Sequence, residues 1–310
     1  MQKRFHSIIS LFVLILISGS LLWACTPNQP EPVEETEAVV ELPSAQVSTT
    51  EPEVLPTATE EPSPIMVNGE SIPVNYYNNE FARYRDSQIG LEQAASDEEI
   101  KQSVLNYLFE QQLLVQGAHA NGLSVSDEEL QARIDMLISE LGSSDALMAW
   151  MQENHFDESE FRLALKLSME AALMRDLIIQ SVPDSVEQVR AQQIFTYTEA
   201  EANAALTNLS IGTDFNKLAW DASPQSGGEL GWFPRGYLLY PEVEAAAFSL
   251  EPGTYSGVIQ SEIGYHILLV LEHETEHALT TDARLSLQNS ALENWLADAL
   301  ANAQIVVNLP

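Results

Sequence analysis

The 310-residue chain has one cysteine, 13 Lys plus Arg, no basic run, and no apolar run as long as a membrane-crossing helix. A single cysteine excludes an intramolecular disulfide and any zinc site built on cysteines. Thirteen cations against 46 Asp plus Glu give a formal net charge of -33. A chain that holds nucleic acid needs a basic face for the phosphates, so no nucleic-acid partner is expected. The acidity favours solubility and attraction to cationic partners instead. What is present suffices for a core: 45% of residues are hydrophobic, and the length predicts two domains.

The N-terminus carries a targeting pattern. Lys3 and Arg4 precede an apolar stretch over residues 8–22, short of the about 20 residues a spanning helix needs. Charge, apolar run and small residue in that order read as a secretory signal over 1–24. The cysteine closes Leu22-Trp23-Ala24-Cys25. This resembles the bacterial lipobox, with the unusual feature of Trp23, and implies lipidation of Cys25. The lipid bilayer is then a partner and the rest of the chain is extracytoplasmic; an uncleaved anchor places the chain on the same side. Residues 25–65 follow as a tether. From 26 to 65 there are eight prolines, nine glutamates and no Lys or Arg. Such a segment buries too little to fold, and its charges repel.

Order is expected from Met66-Val67-Asn68-Gly69-Glu70-Ser71-Ile72, where Asn-Gly between β-formers signals a hairpin. Ser96-Asp97-Glu98-Glu99 and Ser126-Asp127-Glu128-Glu129 read as capping boxes that open amphipathic helices. A shorter helix is expected over 146–153 and a longer one over 159–180, ended by Pro183. Methionines 136, 148, 151, 169 and 174 fill a core or, with Trp150, form an adaptable apolar surface. Beyond residue 189 short β-like runs (189–197, 254–260, 265–271) alternate with helical stretches and Gly-rich turns. A last amphipathic helix is expected over 281–302, then a strand at Gln304-Ile305-Val306-Val307. The fold class is α+β: a helical N-terminal domain at 66–185, an α+β domain at 186–275, and a C-terminal helix and strand at 276–310 packing on the N-terminal domain.

Four blocks stand in order in the second domain: Gly227-Gly228-Glu229-Leu230-Gly231-Trp232-Phe233-Pro234-Arg235-Gly236, Pro241-Glu242-Val243-Glu244-Ala245-Ala246-Ala247-Phe248, Pro252-Gly253-Thr254-Tyr255-Ser256-Gly257, and Gly264-Tyr265-His266-Ile267-Leu268. Together they resemble the parvulin family of peptidyl-prolyl cis-trans isomerases. With the lipidated start and helical region, the layout is similar to extracytoplasmic foldases of the PrsA and SurA type. The resemblance implies a chaperone module at about 66–185 and clients that are newly exported polypeptides with X-Pro bonds. Turning such a bond means crossing an amide-resonance barrier of about 18–20 kcal/mol, for which an apolar cup and polar stabilisation of the twisted amide suffice. No cofactor and no metal is implied.

The resemblance assigns the second family histidine to His266 and the first to Gln193, a departure, since the amide is neither aromatic nor titratable. Asp221 stands for the family's acidic residue, in a loop shorter than usual. The apolar cup falls on Leu239, Val243 and Phe248, with Trp232 beside it; Val243 is smaller than the family's aromatic ring. His266 is thus either catalytic or a structural histidine that ties strands together. Two functions remain open, a membrane-anchored prolyl isomerase and a parvulin-fold holdase with little activity. Whether two copies pair through the helical region is open as well.

His273-Glu274-Thr275-Glu276-His277 matches the H-E-x-x-H pattern of zinc peptidases. That chemistry needs a helical turn and a third ligand; Glu293, only 16 residues on, is too close in sequence for that ligand, and Glu276 puts a charge at a position zinc peptidases usually leave uncharged. The expectation is a solvated connector with no metal.

Overall fold

A computed structural model describes residues 64–91 and 93–309. The signal at 1–24, Cys25 and the tether to residue 63 lie outside the described residues.

Strands β1 (Ile65–Val67) and β2 (Glu70–Ser71) form the expected hairpin, with Asn68 at φ 52° and Gly69 at φ 84°. Two successive positive φ values are what a two-residue hairpin turn requires. Helix α1 (Val74–Ser87) was not foreshadowed in the sequence: it begins after Pro73 with no side-chain cap. Helices α2 (Asp97–Ala120) and α3 (Asp127–Leu141) each open on the capping box expected at Ser96/Glu99 and Ser126/Glu129. A short helix α4 (Ser144–Glu153) and a long α5 (Glu158–Gln180) follow, capped by Ser143 and Asp157.

The helices share apolar faces. Ile100, Val104, Leu105 and Leu108 of α2 pack with Tyr76 and Tyr77 of α1 and with the β1 residues Ile65 and Val67. Trp150 lies in a second cluster, stacked on Phe156 with centroids 5.9 Å apart. Met174 is buried, whereas Met136 and Met148 are about half exposed, so the methionines divide between core and surface. A buried ion cluster fastens α1 to α5: Arg83 bonds Glu80 at 2.7 Å and Glu160 at 3.3 Å, and its guanidinium lies 3.7 Å over the Phe156 ring.

The second domain is a four-stranded antiparallel sheet, order β4-β3-β6-β5, built from β3 (Ser185–Thr196), β4 (Glu229–Pro234), β5 (Ile259–Gln260) and β6 (Tyr265–Ala278). Helices α6 (Glu199–Ser210) and α7 (Phe215–Ala222) cover one face through Leu209, Phe215 and Ala219 against Ile194 and Ile267. Helix α8 (Pro241–Ser249) covers the other through Val243 and Ala247 against Val189, Ala191, Leu268 and Val270. Of the run expected over 254–260, only Ile259–Gln260 is strand, with a lone bridge between Tyr255 and Leu269. Strand β6 continues seven residues past the expected 271.

Helix α9 (Thr281–Asn302) has the bounds expected from its periodicity. It leaves the second domain and returns to the first, where Leu292, Trp295 and Leu296 pack on Leu114, Val115, Ala171 and Met174. Strand β7 (Ile305–Val307) then pairs antiparallel with β1, giving the sheet order β2-β1-β7.

Candidate active site

Residues directly opposite in an antiparallel pair project to the same face. In the β3–β6 register Phe195 opposes His266 and Gln193 opposes Leu268. Gln193, Phe195 and His266 therefore share the α8 face. Gln193 reaches diagonally, placing its Oε1 2.8 Å from His266 Nδ1. An amide oxygen only accepts, so Nδ1 carries the proton and donates. The other ring nitrogen, Nε2, then accepts from Ser261 Oγ at 2.7 Å, and Ser261 Oγ accepts from the Ile263 N–H at 3.3 Å. One directed chain of hydrogen bonds thus runs from the 261–264 turn through the imidazole to Gln193. Burial pushes the His266 pKa down, against a smaller upward pull from the Glu242 carboxylate, so the neutral ring fits this network.

His266 is 3% exposed. What reaches the surface around it is aromatic. The Phe195 ring lies 5.1 Å from the imidazole and the Tyr240 ring 6.1 Å. Tyr197, 80% exposed, meets Phe195 edge-on at 5.1 Å. Gly264 permits this closeness, because a Cβ there would run into the Phe195 ring and the Thr196 carbonyl. Gly228, at φ 70°, likewise lies so near the Gln193 carbonyl that a side chain would overlap it.

The loop that carries Tyr240 is fixed by Glu244 of α8. Its carboxylate accepts three backbone N–H bonds, from Gly236 at 2.7 Å, Tyr237 at 3.0 Å and Leu238 at 3.1 Å. The sequence reading missed Glu244, Tyr240, Leu238, Phe195 and Ser261. Only the bonding partners in space distinguish Glu244 from its many acidic neighbours.

Several expected site residues lie elsewhere. Leu239 is 82% exposed and outside the cluster in which Leu238 and Tyr240 take part, because alternate residues of the loop turn opposite ways. Val243 is buried on α8, in the same cluster as Leu238 and Tyr240, one turn from Tyr240, so it forms the floor beneath them and not an open wall. Phe248 sits at the far end of α8, with its ring 6.0 Å from both Phe233 and His273 and under the Arg235 guanidinium at 4.0 Å. His273 and His266 are seven positions apart on β6, roughly 23 Å at about 3.3 Å per residue. Trp232, on β4 opposite Arg190 of β3, stacks on His277 of β6 at 3.9 Å. Asp221 pairs with Lys217 at 2.9 Å, and among the described residues no hydrogen bond joins it to Gln193 or His266. The acid belongs to a surface i,i+4 pair.

The H-E-x-x-H run lies in β6 and not on a helix. His273 Nε2 bonds Glu187 and His277 Nδ1 bonds Glu274, each at 2.8 Å. The connector expected there is in fact strand.

Comparison with known proteins matches two stretches of the chain to domain families. Residues 51–165 match the SurA-like N-terminal domain, and residues 181–272 match the PPIC-type PPIase domain. The chain joins a SurA-like helical domain to a parvulin domain. It is similar to the foldase protein PrsA 2 of Bacillus anthracis, 30% identical over 166 residues, covering 51% of this chain and 57% of that protein. It is also similar to a parvulin-like PPIase of Rickettsia typhi, 25% identical over 224 residues, covering 67% and 74%. A crystal structure of PrsA from Bacillus cereus aligns with TM-score 0.45 at 22% identity, covering 66% of this chain and 85% of that one. The chain spans under two thirds of the curated relatives it matches first, 57% and 58% of their lengths.

Proposed function

We propose that the protein is an extracytoplasmic foldase, anchored to the membrane through lipidated Cys25, that binds newly exported polypeptides and isomerises their X-Pro bonds at the parvulin domain. The observation that carries this reading is the Gln193–His266–Ser261 network beneath Tyr240, Phe195 and Tyr197. The proline ring is taken by this aromatic surface and Leu238. His266, fully bonded and buried, acts as a positioning residue: its neutral ring sets the spacing of β3, β6 and the 261–264 turn and thereby the placing of the aromatic rings. Gln193 supplies the acceptor that fixes the tautomer. Catalysis rests on holding the proline in an apolar, water-poor setting that disfavours the planar, charge-separated amide.

A protease-coupled tetrapeptide assay tests this. His266→Ala is expected to lower kcat/KM about tenfold, with KM for the peptide rising, because the Phe195 and Tyr240 rings that hold the proline lose their placing. A rate equal to the uncatalysed one in the unaltered protein would leave the second reading, a holdase with a parvulin fold. The 3% exposure of His266 and the filling of the α8 face by Val243 and Phe248 favour that alternative.

A further inference from the structure

From the start of β3 to the end of β6 the parvulin domain holds three cations, and each is already paired. Arg190 bonds Glu229 and Glu272, Lys217 bonds Asp221 at 2.9 Å, and Arg235 bonds Glu187 at 3.0 Å. Arg235 also lies over the Phe248 ring, at the end of α8 away from His266. The carboxylates that border the aromatic surface around His266 are different. Glu242 stands in the first turn of α8, two residues past Tyr240. Glu262 lies in the 261–264 turn, next to the Ser261 that bonds the imidazole. Both are exposed, and among the described residues neither carboxylate makes a hydrogen bond or an ion pair. Glu244, whose carboxylate accepts three loop amides, is not free in this way. Glu242 is near enough to act on the His266 ring, whose titration it pulls upward.

A cation arriving at this surface therefore displaces no existing ion pair. The ring faces act in the same direction: Tyr197, 80% exposed, presents a π face that attracts a cation. The bond that turns joins residue X to the proline, and the rings grip only the proline side of it. A contact to the side chain of X holds the other side. The residue after the proline lies on the same side as the ring and adds no hold across the bond. The Cα atoms of X and the proline are about 3.8 Å apart in the trans form and about 2.9 Å apart in the cis form, so X stays beside the surface in both isomers.

Resting on the isomerase reading above, we propose that Glu242, with Glu262 of the 261–264 turn, is a specificity-determining residue that makes the domain select X-Pro bonds in which X is Lys or Arg. The rings serve every X alike, and the carboxylates rank the substrates. An acidic X meets repulsion at the same place, so the discrimination has both an attractive and a repulsive part.

The test uses the full chain and three tetrapeptides of the protease-coupled assay that differ only in X, which is Lys, Ala or Glu. At low salt kcat/KM is expected to be about fivefold higher for Lys than for Glu, the scale of one exposed ion pair, with Ala between them. The Lys-to-Glu ratio is expected to shrink toward one at about 1 M salt, where screening is nearly complete. Glu242→Gln is expected to bring the ratio below about twofold, and Glu242→Lys to invert it. Glu251→Gln removes an exposed acid past the far end of α8 and is expected to leave the ratio unchanged, which separates a local contact from the field of the whole chain. Because each ratio is taken within one variant, any loss of folded protein cancels from it. A ratio near one in the unaltered protein, or a ratio that Glu251→Gln lowers as much as Glu242→Gln does, overturns the assignment and leaves the isomerase reading standing. No turnover of any of the three peptides above the uncatalysed rate removes both.

Discussion

Tyr240 and Phe248 bracket one short helix and touch different histidines. Tyr240 lies 6.1 Å from the His266 ring, and Phe248 lies 6.0 Å from the His273 ring. The two aromatics at either end of α8 thus serve different purposes. Tyr240 borders the network at the start of β6, whereas Phe248 closes the core at its other end beneath Arg235.

This separation predicts a split between activity and stability. Tyr240→Ala is expected to lower kcat/KM in the tetrapeptide assay about tenfold, the loss of one apolar wall against the substrate, about 1.4 kcal/mol. Phe248→Leu is expected to cost about 1–1.5 kcal/mol in urea unfolding, as for a modest core volume change. It should leave the rate per folded molecule unchanged. The reverse pattern would place the proline at the Phe248 end.

Gln193 is the acceptor for a buried N–H. Gln193→Ala strands the Nδ1 donor of His266, at an expected cost of about 1–3 kcal/mol. Gln193→Glu keeps an acceptor and adds a charge, which is expected to raise the His266 titration midpoint, followed by NMR of the imidazole protons. A midpoint that stays put would break the assigned bond.

Stability should depend on pH through the same ring. Burial holds the folded-state pKa of His266 below its ordinary 6.5. The unfolded chain therefore binds the proton first as pH falls. The contribution is complete above about pH 6.5 and is lost as pH drops from there toward the lowered folded value. Chemical unfolding at a series of pH values should show a fall in that window, and His266→Gln should flatten it.

Glu244 organises a loop by accepting three backbone N–H groups. Glu244→Ala is expected to raise KM for the tetrapeptide by several-fold through loss of the Leu238–Tyr240 placement, with Glu244→Gln recovering part of it. A hydrogen-exchange experiment should find the amides of 236–238 deprotected in the alanine variant. Unchanged exchange would show that the loop holds itself.

Arg83 is the cation of a buried cluster with Glu80 and Glu160. Asn79 adds a bond to Glu160 at 2.5 Å. Arg83→Leu leaves two carboxylates without their counter-ion and is expected to destabilise the helical domain by about 3–5 kcal/mol. Thermal unfolding followed by circular dichroism checks this.

The elements legible beforehand are those specified by neighbours in sequence. Ser96 and Glu99 make their capping box within one turn, Asn68-Gly69 makes its own turn, and α9 carries its periodicity from Thr281 to Asn302. The order of the four parvulin-like blocks likewise pointed to the domain now matched over 181–272. Helix α1 escaped notice because it lacks a capping signal: Pro73 precedes it, and no side chain closes its start.

What the chain alone could not reveal depends on contacts across long separations. Gln193 meets His266 across 73 positions, Arg83 meets Glu160 across 77, and β7 finds β1 across the whole length of both domains. Leu239 and Leu238 are identical residues in one loop, yet only Leu238 packs inward. Local propensity fixes where a helix begins or a turn bends, since those energies act between neighbours. Which side chain fills a hollow is decided when strands and helices close on each other, and the burial and hydrogen bonding that select it exist only in the assembled fold.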